Sequence, residues 1–220
     1  MALTSAQADV LQVLATLSSV LSIFGSLTIV HTISSKQKSS NRSRLSTTDL
    51  LVLIMSALDI MSSLSFSFGV LPHAVAGPDG FFCHLQAFSI QLFALSTVFW
   101  NSCMAHNLYC WVVLKRDLDS LRGNVRRYLA FSLGVPLCLA AGLLVSGDYG
   151  FATLWCWIPS TPRSVEALRF TTFYAFVVLA WLVNLFVFVA VHRSMRSRRR
   201  GEDTDTLLEA RGAVQRKMAQ

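Results

Sequence analysis

Apolar residues along the chain fall into five long blocks, at about 10–33, 49–71, 83–114, 127–145 and 168–191, separated by short polar stretches. A helix that crosses a membrane needs about 20 predominantly apolar residues, so the pattern predicts an all-α polytopic transmembrane bundle of five spans. Pro136 lies inside the fourth and briefest block. Membrane helices tolerate proline where neighbours satisfy the freed carbonyl, so a kink is expected there and not a break. This divides the chain into a short segment 1–9, a bundle over 10–195 and a tail 196–220 that is first basic and then mixed in charge.

The third block differs from the rest. The stretch CHLQAFSIQLFALSTVFWNSCMAHNLYCWVVLKR is interrupted by Gln86, Gln91, Asn101, His106 and Asn107 before it closes on Lys115-Arg116. About 30 helical residues rising about 1.5 Å each reach roughly 45 Å, across a bilayer and its headgroups. A helix of that length with polar positions along it does not face lipid all round. It is expected to be the central helix on which the other spans pack.

Composition agrees. Of 220 residues 53% are hydrophobic and 14% charged, where soluble domains carry about 25% charged residues; mean hydropathy is +0.52. The opening MALTSAQAD has no basic residue, and the apolar run after it is too long for a signal-peptide core. No cleavable signal is expected, and the first block is itself a span.

The +7 net charge is explained by where the basic residues fall. Lys36, Lys38, Arg42 and Arg44 lie between spans one and two, and Lys115, Arg116, Arg122, Arg126 and Arg127 between or beside spans three and four. Arg193, Arg196, Arg198, Arg199, Arg200, Arg211, Arg216 and Lys217 follow span five. With five spans, seventeen of the nineteen basic residues share one side, leaving Arg163 and Arg169 on the other. The positive-inside rule then places the N-terminus outside and the C-terminus in the cytoplasm. Membrane lipid is the partner this distribution implies, and nucleic acid is not. On this topology the sequon Asn41-Arg42-Ser43 is cytoplasmic and unmodified.

Within the spans, Ser18, Ser22 and Ser26 recur every four residues beside Gly25, a row that lets another helix approach closely; packing is the preferred reading. Thr47 or Thr48 can cap span two, with Asp49 complementing its dipole. Asp59 sits mid-span, where an ionisable group costs about 2.5–3.5 kcal/mol to insert. It shares a face with Ser56 and Ser63, and an ion or water site and a structural carboxyl satisfied by hydroxyls both stand open. Asn184 is the strongly polar group of span five and is expected to bond another helix. With Asn101 these residues form an intramembrane polar site.

Gly77-Pro78-Asp79-Gly80 marks a turn. Of five cysteines, Cys83 and Cys156 fall on the oxidising outer side, and a disulfide between them is the economical reading over free thiols. Trp155 and Trp157 then lie at the interface or form part of a lid. No H-E-x-x-H, G-x-S-x-G or phosphate-cradling glycine loop is present, and His31, His73, His84, His106 and His192 do not cluster at ligand spacing. His106 is read as a hydrogen-bonded packing residue. No enzyme activity, catalytic residue, metal or cofactor is expected. The chain has no inverted repeat of the kind transporters carry.

This combination resembles the first five helices of a G protein-coupled receptor. Within that superfamily it is most similar to the cyclic-AMP-receptor-like receptors of slime moulds and other protists. Phe82-Cys83, Trp100-Asn101, His106-Asn107-Leu108-Tyr109, Cys156-Trp157-Ile158 and Arg169-Phe170 with Phe173-Tyr174 carry the resemblance, which covers roughly 10–195. Rhodopsin-type receptors resemble it less: no Asp-Arg-Tyr closes span three, and span four has no internal tryptophan.

The resemblance implies a plasma-membrane receptor that signals from an extracellular ligand to a heterotrimeric G protein, alone or in receptor homo- or hetero-oligomers. It implies a Cys83–Cys156 disulfide, a polar site at Asp59 and a ligand cavity bordered by Gln86, Trp157, Arg169 and Tyr174. Lys115, Arg116, Arg126 and Arg196 are expected cytoplasmic contacts. The outer half offers only Arg163 and Arg169 as cations, so a strongly anionic ligand such as cyclic AMP is not expected. A full receptor has seven spans. The chain is therefore expected to be either a piece of a longer receptor or a five-span derivative, the latter a non-signalling membrane adaptor.

Overall fold

A computed structural model describes residues 5–39, 45–77, 80–159 and 164–218. In chain order the elements are α1 (Ser5–Ser39), α2 (Thr47–Ser67), the short α3 (Leu71–Ala76), α4 (Phe81–Val112), the single turn α5 (Leu118–Leu121) and α6 (Asn124–Ser146). Strands β1 (Gly150–Phe151) and β2 (Cys156–Trp157) pair antiparallel, then α7 (Ser164–Arg169) runs through a π-helical turn, Phe170–Tyr174, into α8 (Ala175–Met218). Among the described residues five helices are long and apolar enough to cross a membrane. The fold is the expected all-α bundle of five spans.

Residues 83–110 of α4 explain its place in the bundle. Cys83, Gln86, Ala87, Ile90, Gln91, Leu95, Ser96, Phe99, Trp100, Cys103, Asn107 and Cys110 are all buried. Their spacing of three and four draws one continuous stripe along the helix. The stripe packs against α2, α6, α8, α3 and the hairpin, whereas α1 packs on α2. Two cores form along it. One gathers Cys83, Ala87, Ile90, Leu143, Tyr149, Cys156, Trp157 and Ile158 at the disulfide end. The other sets Trp100 against Leu51, Leu58 and Val125 further down. Large apolar side chains such as Leu21 and Phe24 on α1 and Phe186 and Phe188 on α8 stay exposed, as suits helices whose outer faces meet acyl chains.

The helix ends show how local chemistry sets the frame. The cap of α2 is Ser46, not Thr47 or Thr48: its hydroxyl accepts the Asp49 N–H at 3.1 Å. Ser46 is the last extended residue before the helix, whereas Thr47 is already helical and buried. Helix α6 passes through Pro136 unbroken and stops at Gly147 (φ 73°), where the Asp148 N–H returns to the Leu143 carbonyl at 3.1 Å. A side chain is strained at that φ. Gly69 (φ 50°) turns α2 into α3, and a Cβ there would meet the Gln12 carboxamide. The second span thus ends at Ser67 and not at Leu71, and the stretch 72–82 between spans two and three holds most of the short helix α3. Of the expected turn, Gly77 has φ 77°; Pro78-Asp79, Asn41-Arg42-Ser43 and Arg163 lie outside the described residues.

Beyond α6 the Tyr149 hydroxyl donates to the Ala140 carbonyl at 3.0 Å inside the disulfide-end core. Burial pushes its phenol pKa well up. An acid held protonated in the fold leaves stability intact below the ordinary phenol pKa, near 10. That stability is lost as pH rises beyond it, because the unfolded chain releases the proton first. The protein should therefore lose thermal stability more steeply than Tyr149→Phe between about pH 9 and about pH 11. Parallel slopes in a melting-midpoint series would refute the buried phenol.

Candidate functional site

The described polar chemistry concentrates at three levels of α4. At the disulfide end Cys83, in the first turn of α4, bonds Cys156 at the start of β2, with Cα atoms 5.2 Å apart. One turn on, Gln86 Nε2 donates to the Ser65 carbonyl (3.1 Å) and the Gly69 carbonyl (2.9 Å), while its Oε1 accepts the Cys156 N–H at 3.0 Å. A single buried amide thus ties α2, the α2–α3 turn and the hairpin to α4.

Gln91 repeats the device toward the last span. Its Oε1 accepts the Trp157 indole N–H at 2.9 Å, and its Nε2 donates to the Thr172 carbonyl at 2.9 Å. Thr172 lies in the π-helical turn, where the Ala175 N–H reaches the Phe170 carbonyl five residues back. Such a turn widens the ladder and often marks a functional position. Trp157 is nearly buried, with Phe173 and Tyr174 edge-on at 5.5 and 6.1 Å between ring centres. The Arg169 guanidinium lies 5.4 Å above the indole and donates to the Ile158 carbonyl through Nε (2.9 Å) and Nη2.

Of the four residues expected around a ligand cavity, Trp157, Arg169 and Tyr174 therefore meet in one aromatic–cation group, while Gln86 sits apart and joins it through Cys156 and Trp157. Gln86 and Arg169 bond backbone carbonyls. Tyr174 keeps about half its surface exposed, at 48%. A cavity of about 540 Å³ does open at this end, between α2, α3 and α4, with Gln86 in a wall made chiefly of Met61, Leu64, Phe68, Val75 and Leu85. Its lining suits an apolar body. Trp155 packs edge-on against Phe66 of α2 at 5.2 Å, and His73 of α3 stacks on Phe151 of β1 at 3.9 Å. The hairpin is thereby fastened across the disulfide end of the bundle.

At mid-bundle the structure joins two features that were read separately. Ser22 and Ser26 of α1 each donate to Asp59 Oδ2 at 2.6 Å. Two of the three serines in the row are therefore the donors to the carboxylate, while Ser18 donates to the Ala15 carbonyl, and Asp59's partners come from α1 and not from Ser56 or Ser63. The cause is helical phase. Leu51 and Leu58 face α4, where the Trp100 indole N–H donates to the Leu51 carbonyl at 3.0 Å. A step of one residue turns Asp59 about 100° away, toward α1. Asp59 and Asn184 do not meet: Asn184 Nδ2 donates to Ser102 Oγ of α4 at 3.2 Å and to the Ala180 carbonyl at 2.8 Å. Asn101 is exposed. His106 Nδ1 lies 2.8 Å from the Tyr128 hydroxyl of α6, a bond that joins two helices.

At the other end of α4, Lys115 and Arg116 line an open hollow of about 640 Å³ with Trp111, Asp117 and Arg198. Arg198 Nη2 donates to the Val112 carbonyl at 2.8 Å, fixing α8 to the end of α4. Arg122 Nη1 reaches the Leu45 carbonyl at 2.7 Å, and Lys36 pairs with Asp49 at 3.7 Å. Arg126 and Arg196 are exposed and lie outside the hollow. No group of three His, Cys, Asp or Glu side chains suited to a metal gathers among the described residues. What the arrangement can do is hold two faces of a bundle in fixed relation through α4. The specific roles of Gln91 and Trp100 escaped the sequence reading, because a buried polar position in a run does not disclose which helix supplies its partner.

Comparison with known proteins gives this geometry a context. The family model described as slime mold cyclic AMP receptor matches residues 2–199. "G-protein coupled receptor 1" of Arabidopsis thaliana is 29% identical over 122 residues, 55% of this chain and 36% of that protein. "Cyclic AMP receptor-like protein G" of Dictyostelium discoideum is 25% identical over 144 residues, 62% of this chain and 26% of that protein. The matches thus span about a third or less of these relatives' own lengths.

The Asp59 arrangement makes a stability prediction. Ser22→Ala with Ser26→Ala leaves a partly buried carboxylate without its two donors and should cost about 1–3 kcal/mol. Adding Asp59→Leu, which removes the carboxylate as well, should recover most of that loss. Melting midpoints in lipid nanodiscs test this; a triple variant no more stable than the double would show that the three residues do not act as one unit.

Proposed function

The chain belongs to the slime mold cyclic AMP receptor family, and from that premise we propose that it works as a G protein-coupled-receptor-like protein of the plasma membrane, relaying an extracellular ligand to a heterotrimeric G protein. The observation that carries the reading is that one helix, α4, bears the disulfide-tethered hairpin at one end and the Lys115-Arg116 corner at the other. A ligand that shifts the hairpin or the Trp157 group acts directly on a rigid rod whose far end lies among basic residues. The charge distribution supports the disulfide end as extracellular and the basic end as cytoplasmic. Lys115, Arg116, Arg126 and Arg196 are the proposed contacts with the G protein, and Tyr174 with the Trp157 group the proposed ligand border.

The proposed ligand is not strongly anionic. Arg169, the described cation beside Trp157, already donates to the Ile158 carbonyl and lies over the indole. Direct saturable binding of cyclic AMP at this end would reverse this part of the reading.

Two measurements test the relay. Loss of the disulfide should cost about 2–5 kcal/mol, and Cys83→Ser or Cys156→Ser should each lower surface display several-fold. Arg126→Glu with Arg196→Glu, compared at equal surface level, should lower basal G-protein nucleotide exchange by at least about threefold, as expected when charge contacts are reversed. Exchange that never exceeds empty membranes, together with stable co-purification with a full-length relative, would replace the relay by the adaptor reading.

A further inference from the structure

The hollow at the basic end has features that a diffuse basic surface lacks. Lys115, Arg116 and Arg198 face one open space of about 640 Å³, with Asp117 the acidic side chain in its wall. Three cations against one carboxylate leave a net charge of plus two. The Lys36–Asp49 pair lies elsewhere, and none of these three cations forms an ion pair with a described carboxylate. The Arg198 side chain and the backbone that carries the other two are also held in place. The Val112 carbonyl holds Arg198 at 2.8 Å. Lys115 has φ 53° at the turn that ends α4, and the next amide, of Arg116, returns to the Cys110 carbonyl at 3.0 Å.

The apolar side of the hollow identifies the kind of anion. Trp111 in its wall is 49% exposed, and Leu114, one position before Lys115, is 48% exposed. An exposed indole one turn from a cluster of cations is the arrangement found where headgroups meet acyl chains. A soluble anion would satisfy the cations and leave this apolar border bare, as would an acidic peptide. A molecule with an anionic head and an attached hydrocarbon chain satisfies both. A phosphate monoester carries about −1.5 to −2 charge near neutrality, closer to the net charge of the hollow than the single charge of a simple phosphodiester or serine headgroup. Basic pockets between membrane helices are suited to such lipids.

We propose that this hollow seats the headgroup of a phosphoinositide-class lipid, an anionic phospholipid bearing phosphate monoesters, with Lys115, Arg116 and Arg198 on the phosphates and Trp111 against the glycerol boundary. A bound headgroup would brace the junction of α4 and α8. The inference does not rest on the proposed relay, because lipid binding is read with no G protein present; Lys115 and Arg116 are shared with the proposed G-protein contacts, and a seated headgroup leaves Arg126 and Arg196 as the contacts outside the hollow.

The test uses the purified full chain, delipidated and titrated in phosphatidylcholine nanodiscs with phosphatidylinositol bisphosphate, with phosphatidylserine at matched charge, and with soluble inositol trisphosphate. Lys115→Gln/Arg116→Gln/Arg198→Gln should weaken bisphosphate-lipid binding by at least about tenfold. Lys115→Gln/Arg116→Gln, which spares the Arg198 bond to Val112, should weaken it severalfold even if the triple variant fails to fold. Arg127→Gln/Arg193→Gln/Arg199→Gln removes the same charge from exposed positions outside the hollow and should leave binding within about twofold. An equal loss in that control, equal affinity for phosphatidylserine, or equal affinity for the soluble headgroup would each overturn the assignment.

Discussion

Cys156 is fastened to α4 twice, through its sulfur to Cys83 and through its amide N–H to the Gln86 carboxamide 3.0 Å away. Because the next residue is Trp157, this double attachment also decides where the indole goes. Its N–H meets Gln91 a little over one turn further along α4, and Gln91 in turn reaches the carbonyl of Thr172 in the last span. The hairpin, the α2–α3 turn and the π-helical entry to α8 are thus all referred to positions 83, 86 and 91 of one helix. Remove that anchoring and each becomes a separate surface segment. Within a membrane the arrangement has added weight, since packing and hydrogen bonds, rather than exclusion of apolar surface from water, must hold one helix to another.

The same economy governs the middle of the bundle. A carboxylate in a region of low dielectric needs donors, and α1 supplies two from one face a helical turn apart. This gives α1, whose apolar side chains are largely exposed, a polar register against α2. Trp100 performs the matching task between α2 and α4, and Ser102 with Asn184 between α4 and α8. Each interface carries a directional bond within a surround of non-directional packing. Model studies put such interhelical bonds at about 0.6–2 kcal/mol apiece, so their effect is on register more than on gross stability.

At the basic end, order comes from backbone carbonyls capturing arginines: Val112 holds Arg198 and Leu45 holds Arg122. Val112 is the last residue of α4, where carbonyls lack intrahelical partners and cations meet a favourable dipole, whereas Leu45 precedes the N-cap Ser46 of α2 and its carbonyl takes the Arg122 bond without help from a helix dipole. In this member of the slime mold cyclic AMP receptor family, α4 thus connects a tethered hairpin at one end to a cationic corner at the other.

How much of this was legible in the residues follows from what each interaction depends on. Span number, the all-α class and the central place of 83–114 depend on local apolar content and on polar positions recurring within one block, both written in the chain itself. The Cys83–Cys156 bond was legible because alternation of spans leaves two cysteines on one side. Partner choice was not. Ser22, Ser26 and Asp59 were each conspicuous, yet nothing local states that α1 rather than α4 meets the carboxylate face. That depends on the rotation of α2, which the burial of Leu51 and Leu58 against Trp100 decides. Gln86 and Gln91 likewise read as interruptions until a hairpin brought from some 65–70 residues away supplies their partners. The sequence by itself determined which segments are helices and which of their positions must find hydrogen bonds. Only the tertiary structure decided with whom, because helix rotation and the return of distant segments are set by packing between elements, a property that no single segment contains.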